Sequence, residues 1–199
     1  MKLGKLLLGA ISAAALLSAL VSSASARNLE LSSQSSRVIW TRWSFRETSF
    51  FVINTECEIV MRGSFHTRTM TKTVNSLIGY ITEASILRCA RGGLTINRES
   101  LPWHRRYKSF NGALPNITGL AETISGAEWR ISEAGLPEVT CTILRQNSSA
   151  IFTYALSGGV ITGAEARGSS PCGRFTAEVA GSSTSVVDGA GARITVRLI

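Results

Sequence analysis

The chain repeatedly alternates apolar and polar residues with a period of two, and nothing else in it constrains the fold as strongly. In "AEWRIS", Ala127, Trp129 and Ile131 point one way while Glu128, Arg130 and Ser132 point the other. "RITVRLI" repeats the pattern, with Ile194, Val196 and Leu198 inward and Arg193, Thr195 and Arg197 outward. A half-buried antiparallel strand sorts such a pattern onto two faces and a helix does not. The same reading places strands at 37–45, 50–54, 58–67, 86–89, 94–98, 139–144, 151–156 and 174–180, with a weak one at 185–187. Turn signals separate them at Gly92-Gly93, Asn111-Gly112, Ser157-Gly158-Gly159, Gly168 to Pro171 and Asp188-Gly189. Residues 75–88 are ambiguous. Leu77, Ile81, Ala84 and Arg88 recur at helical spacing behind Asn75, a good cap, but Tyr80 and the β-branched Ile78, Ile81, Thr82 and Ile86 favour a strand, which is the reading adopted. Many short strands and frequent turns predict an all-β fold, an antiparallel sandwich or barrel. The terminal "VRLI" predicts a C-terminus tied into the sheet.

The N-terminus carries a basic start at Lys2 and Lys5, an apolar run from Leu6 to Val21, and the small residues Ala24-Ser25-Ala26. That is the order of a cleaved signal peptide, and the run is shorter than the roughly 20 residues that span a bilayer. Residues 1–26 are read as the signal peptide and 27–199 as a single β-rich domain, secreted or held at the cell envelope, with no transmembrane helix after cleavage. A domain of that size buries a full core without help from metals. Four cysteines, Cys57, Cys89, Cys141 and Cys172, all fall in the mature part, and an exported chain uses such a set for two disulfides. Of the three pairings, Cys57 with Cys89 and Cys141 with Cys172 is favoured, because each closes a loop of about 30 residues within one half of the chain, stabilising by roughly 3 kcal/mol. No metal site is expected: there is no Cys-x-x-Cys, and neither His66 nor His104 has ligand spacing with the cysteines.

Charge and acid inventory narrow the function classes. The formal net charge of +8 falls to +6 without Lys2 and Lys5, and it is spread along the mature chain. In an exported protein this favours anionic cell-wall polymers, anionic lipids or acidic glycans, with no nucleic acid expected, although a charge of this size also serves plain solubility. Thirteen acidic residues include one aspartate, Asp188, in the turn sequence "VVDGAGA". A Ser-His-Asp site would need Asp188 to orient His66 or His104, and no Gly-x-Ser-x-Gly, His-Glu-x-x-His or phosphate loop is present. His66 reads as a strand-face residue. The glutamates are numerous enough for a glycosidase pair but single out no position. No cofactor is implied. Asn116-Ile-Thr and Asn147-Ser-Ser match a glycosylation pattern that would stay bare in a bacterium.

One stretch concentrates binding chemistry, "SLPWHRRYKSFNGALPNITG", residues 100–119. If it is extended, Trp103, Arg105 and Tyr107 share one face, and His104, Arg106, Lys108 and Phe110 share the other. The first face would suit stacking on a sugar and pairing with a phosphate or carboxylate; the second is mainly cationic. Against this binding reading stands a structural one, in which Trp103 and Tyr107 belong to the core and the basic residues guard a sheet edge enforced by Pro102 and Pro115. In "VIWTRWSFR", strict alternation puts Ile39, Trp43 and Phe45 on one face and Val38, Trp40 and Arg42 on the other, and core packing is the preferred reading.

The segments "RGSFHTRT", "SLIGYITEA", "ESLPWHRRYKSFNGALPNITG" and "ITVRLI" resemble a group of small secreted proteins of actinobacteria. The resemblance covers most of the mature chain and implies a bacterial, exported protein. It assigns this chain no activity, cofactor or site residue. The sequence therefore leads to an exported, disulfide-stapled β protein, binding or structural, whose partner is an anionic cell-wall polymer or carbohydrate met by Trp103, His104, Arg105, Arg106, Tyr107 and Lys108. Two alternatives stand beside it: a secreted hydrolase, and an effector or inhibitor that presents 100–119 to another protein.

Overall fold

A computed structural model describes residues 28–47, 53–113, 116–132, 139–143, 150–173 and 175–199. The signal-peptide reading of 1–26 and the Asn147 motif lie outside the described residues. In chain order the strands are β1 (Asn28–Leu31), β2 (Ser35–Glu47), β3 (Ile53–Phe65), β4 (Thr69–Thr71) and β5 (Leu77–Arg91). There follow β6 (Gly93–Ile96), β7 (Trp103–Asn111), β8 (Gly119–Ser125), β9 (Ala127–Ser132) and β10 (Val139–Ile143). The last are β11 (Ala150–Ser157), β12 (Val160–Cys172), β13 (Phe175–Ser183), β14 (Ser185–Val187) and β15 (Val196–Leu198). The fold is all-β and antiparallel, and it is a barrel: eight strands close in the order β11-β8-β7-β5-β3-β2-β13-β12, with β12 pairing back onto β11.

The far end of β12 continues into a second layer, pairing β10, then β9, then β6. A separate three-stranded sheet, β15-β1-β4, is tied on by Val196 N–H to the Gly159 carbonyl. Its Leu29, Leu31, Met70 and Val196 join the barrel core. The C-terminus is held as expected: β15 pairs β1, and Ile199 N–H donates to the Asn28 carbonyl at 3.0 Å. The disulfides are Cys57–Cys89, linking β3 to β5, and Cys141–Cys172, linking β10 to β12, each between residues directly opposite in the ladder. With sequence separations of 32 and 31, each constrains the unfolded chain by about 3–4 kcal/mol.

The alternating stretches behave as read. "AEWRIS" is β9, and residues 75–88 fall mainly in β5, with Asn75 at φ 66° forming the turn before it. Other expectations are corrected. Residues 53–54 and 58–65 of the strands expected at 50–54 and 58–67 belong to one strand, β3, and residues 50–52 lie outside the described residues. Gly168 to Pro171 is no turn; these residues lie within β12 and pair with Val179 to Thr176 of β13. Trp40 and Trp43 do not occupy opposite faces, because the β2–β3 register shifts between them and the bulge turns both rings inward, fully buried. A Cβ on the facing Gly181 would lie 2.7 Å from Cε3 of Trp43 and 3.0 Å from Cε3 of Trp40, so only glycine lets the two rings pass. Trp129 packs against Trp43 at 5.5 Å and Trp103 at 5.0 Å, and Phe152 against Trp40 at 4.8 Å, forming an aromatic layer across the barrel.

Candidate functional site

Strand β7 carries "WHRRYKSFN", and its placement decides between the two readings of that stretch. It lies between β5 and β8, inside the ladder, so the sheet-edge reading is corrected. Pro102 precedes the strand and costs the ladder no donor, and Pro115 lies outside the described residues. Pleating then divides the six candidate residues three and three. Trp103, Arg105 and Tyr107 are 0%, 1% and 3% exposed and point into the barrel. His104 and Arg106 are half-buried and Lys108 exposed on the outside. The expected aromatic and basic surface of Trp103, Arg105 and Tyr107 is thus interior and unable to stack on a sugar from solution.

The inner face is polar at its centre. Before β7, a short 3₁₀ turn, Arg98–Ser100, is capped by Asn97, whose side chain accepts from Glu99 N–H. That turn sets Ser100 Oγ 2.9 Å from Trp103 Nε1, giving the buried indole an acceptor. Two residues on, Arg105 donates from Nε to Glu122 Oε2 at 2.9 Å, from Nη2 to Glu122 Oε1 at 2.8 Å, and from Nη1 to Ser36 Oγ at 2.8 Å. Its Nη2 also reaches Tyr154 Oη at 3.4 Å, and Tyr154 donates to Glu122 Oε1 at 2.5 Å. The guanidinium carbon stands 3.9 Å over the Phe65 ring. Burial works against the Arg105 charge, but Glu122 and Tyr154 together outweigh it and hold its pKa above the ordinary guanidinium value. Burial, reinforced by the Glu122 charge, pushes the Tyr154 phenol well above its ordinary value. A bidentate pair so enclosed fixes four side chains relative to one another.

The outer face is open and cationic. His104, Arg106 and Lys108 follow one another along β7, and Arg106 Nη1 donates to the Asn75 carbonyl at 3.0 Å. Lys72 lies 5.1 Å above the Phe110 ring at the end of the strand. On β5, Tyr80 stands opposite His104 with ring centroids 5.4 Å apart, and His66, at the bend after β3, has its ring centroid 5.1 Å from that of Tyr80. The carboxylates of the flanking strands are engaged, Glu83 by Arg62 at 2.7 Å and Glu122 by Arg105, and Glu128 on β9 accepts from Asn97 at 2.8 Å. Elsewhere on the barrel exterior Arg62, Arg88, Glu165 and Arg167 point outward, the reverse of the apolar outward band of a membrane-spanning barrel.

Glu122, Tyr154 and Ser36 were not legible as partners of Arg105, nor Tyr80 and Lys72 as neighbours of the outer row. One signal was available for Glu122: in "GLAETIS" it takes an inward position between Leu120 and Ile124, as Arg105 does between Trp103 and Tyr107. Two opposite charges at inward positions imply each other. Asp188 serves its turn, its carboxylate accepting from Ala190 N–H at 2.9 Å and Ala192 N–H at 2.8 Å. All four cysteines are in disulfides, and no group of His, Cys, Asp and Glu among the described residues could hold a metal. No helix among the described residues is long and apolar enough to cross a membrane. No family model, no curated protein and no solved structure matches this chain.

Proposed function

We propose that this is an exported bacterial protein that binds an anionic polymer of the cell envelope on the outer face of β7. The observation that carries the reading is the segregation of β7: Trp103 and Tyr107 are spent on the core, and its outward face carries the cations Arg106 and Lys108, next to His104 and beside Lys72. On the strands beside β7, Glu83 is neutralised by Arg62 and the inward Glu122 by Arg105, so the face keeps a net positive field. With Trp103 and Tyr107 buried, recognition is Coulombic, and a neutral glycan has little to stack on. The ladder fixes the backbone that carries these cations, so binding has only their side chains left to order. The two disulfides suit an oxidising compartment. Retention of the oxidised protein on purified bacterial cell walls, and its binding to dextran sulfate as a defined polyanion, is measured across a salt series. Binding that weakens steeply with salt and is lost in Arg106→Ser/Lys108→Ser supports the reading. Absence of binding, or binding untouched by salt and by the substitutions, overturns it.

A further inference from the structure

We propose that Arg37 of β2 and Arg62 of β3, with Arg193 at their flank, form a binding site for a phosphate group, apart from Arg106 and Lys108. Register sets the site. Arg37 lies directly opposite Arg62, and on its other side opposite Val187 of β14, which in turn bridges to Arg193. Cross-strand partners share a face, and here it is the outer one, because Ser36 and Val38 on either side of Arg37, and Met61 beside Arg62, are buried. Arg193, Val187, Arg37, Arg62 and Glu83 therefore form one outward row, with neighbours about 5 Å apart.

Two features of the row call for an anion. Like charges directly opposite one another on adjacent strands destabilise the pair. Arg62 has a counter-charge in Glu83, at 2.7 Å, but Arg37 has none: its Nε is buried without a hydrogen-bond partner, and no ion pair among the described residues engages its guanidinium. A buried donor without an acceptor is costly, and a ligand oxygen would supply one. The nearby carboxylates are committed elsewhere, Glu83 to Arg62 and Asp188, next to Val187, to the N–H groups of Ala190 and Ala192. The neighbouring outward positions of β2, β3 and β5 carry no charge: Ile39, Val60 and Ser85 on one side, Ser35, Ser64 and Tyr80 on the other. Two opposed guanidinium forks offer more donors than the two oxygens of a carboxylate can take up. A phosphate presents three or four oxygens and, as a monoester, about −1.5 to −2 of charge at pH 7. Three guanidiniums against Glu83 leave the row at +2, which that charge matches.

The probe is inorganic phosphate, titrated into oxidised protein at constant pH and compared with sodium chloride at equal ionic strength, with the arginine Nε–H resonances as readout. The Arg37 resonance should shift saturably with phosphate and stay still with chloride, and phosphate should raise the urea midpoint of wild type by more than that of Arg37→Gln. Arg37→Gln should weaken phosphate binding about tenfold or more, as bonds to a charged acceptor are lost. Arg62→Gln, at an exposed side chain, should do the same and decides the matter if Arg37→Gln does not fold. Arg193→Gln should weaken binding by roughly two- to fivefold. Arg37→Lys keeps the charge and loses the fork, so full affinity in that variant would mean a diffuse field and overturn the proposal. Dimethyl phosphate separates the two sources of the ligand: binding comparable to that of inorganic phosphate assigns the site to the phosphodiester of a polymer, and binding of inorganic phosphate alone assigns it to a free or terminal phosphate. Resonances that all drift together with ionic strength, or equal phosphate affinity in wild type and the Gln variants, overturn the proposal and leave the reading of the β7 face untouched.

Discussion

The two faces of β7 share one backbone and one sequence of nine residues, yet they do opposite things with positive charge. Inside, Arg105 is 1% exposed and spends its guanidinium on Glu122, Tyr154 and Ser36. Outside, Arg106 is next in the chain and reaches one backbone carbonyl of an exposed turn. The difference teaches that composition alone does not distinguish a binding surface from a core. A buried charge is committed to its partners because leaving one unmatched costs several kcal/mol, whereas a solvated one remains available to a ligand. "WHRRYK" is therefore two short patterns interleaved, one facing the core and one facing outward.

The sharpest way to break this comparison is to unpair the inner charge. Arg105→Leu leaves Glu122 buried without its partner, and the expected loss is about 3–5 kcal/mol of stability. Urea unfolding of the oxidised protein measures it. Arg105→Met/Glu122→Leu removes both charges and should regain most of that loss, short of wild type because Tyr154 and Ser36 keep unmatched hydroxyls. If the single substitution costs under about 1 kcal/mol, the inner cluster is not the fixed network described above.

A smaller effect reads the same cluster through pH. Tyr154 is pushed well above the ordinary phenol value by burial and then by Glu122, and Tyr107 is raised by burial. A raised pKa means that the stability it represents is complete below the unfolded value of about 10 and is lost above it, as the unfolded chain ionises and the folded one does not. Stability should thus hold on the neutral side and fall from about pH 10 upward, by up to about 1.4 kcal/mol per pH unit for each tyrosine. Tyr154→Phe should flatten that branch while lowering stability at pH 7 by about 1–2 kcal/mol through the lost bond to Glu122. An unchanged alkaline slope in Tyr154→Phe would show that the phenol is not held protonated inside the barrel.

Sequence alone disclosed much of this and failed for definable reasons. Alternation located "AEWRIS" as a strand and the split of β7 into two faces, because period-two sorting is a property of the backbone. It missed β8, whose inward Glu122 interrupts the apolar series, and β12, whose Gly163, Gly168 and Pro171 resemble breakers although they pair within a wide ladder. It misplaced Trp40 because a bulge adds a residue that no periodic count contains. It took Pro102 for an edge marker because it could not show that the strand begins just after it. The outer site suffered most: His66 follows β3, Tyr80 lies on β5 and His104 on β7, and their juxtaposition exists only once β5 is known to lie between β3 and β7.

The smallest expected change in stability tests the outer half of the comparison. Arg106→Ser/Lys108→Ser removes two cations from solvent-facing positions, one of which has a single bond to an exposed carbonyl. Exposed bonds and charges of this kind contribute little, so unfolding free energy should stay within about 0.5 kcal/mol of wild type. Binding to dextran sulfate should nonetheless weaken, with the salt slope shallower by about one to two as two counterion-releasing contacts disappear. That pairing of an unchanged fold with a lost polymer is what separates the faces, since the inner substitution should do the reverse to stability. A loss above about 2 kcal/mol would instead mean that Arg106 and Lys108 are structural. Polymer affinity would then have to be sought on another face of the barrel.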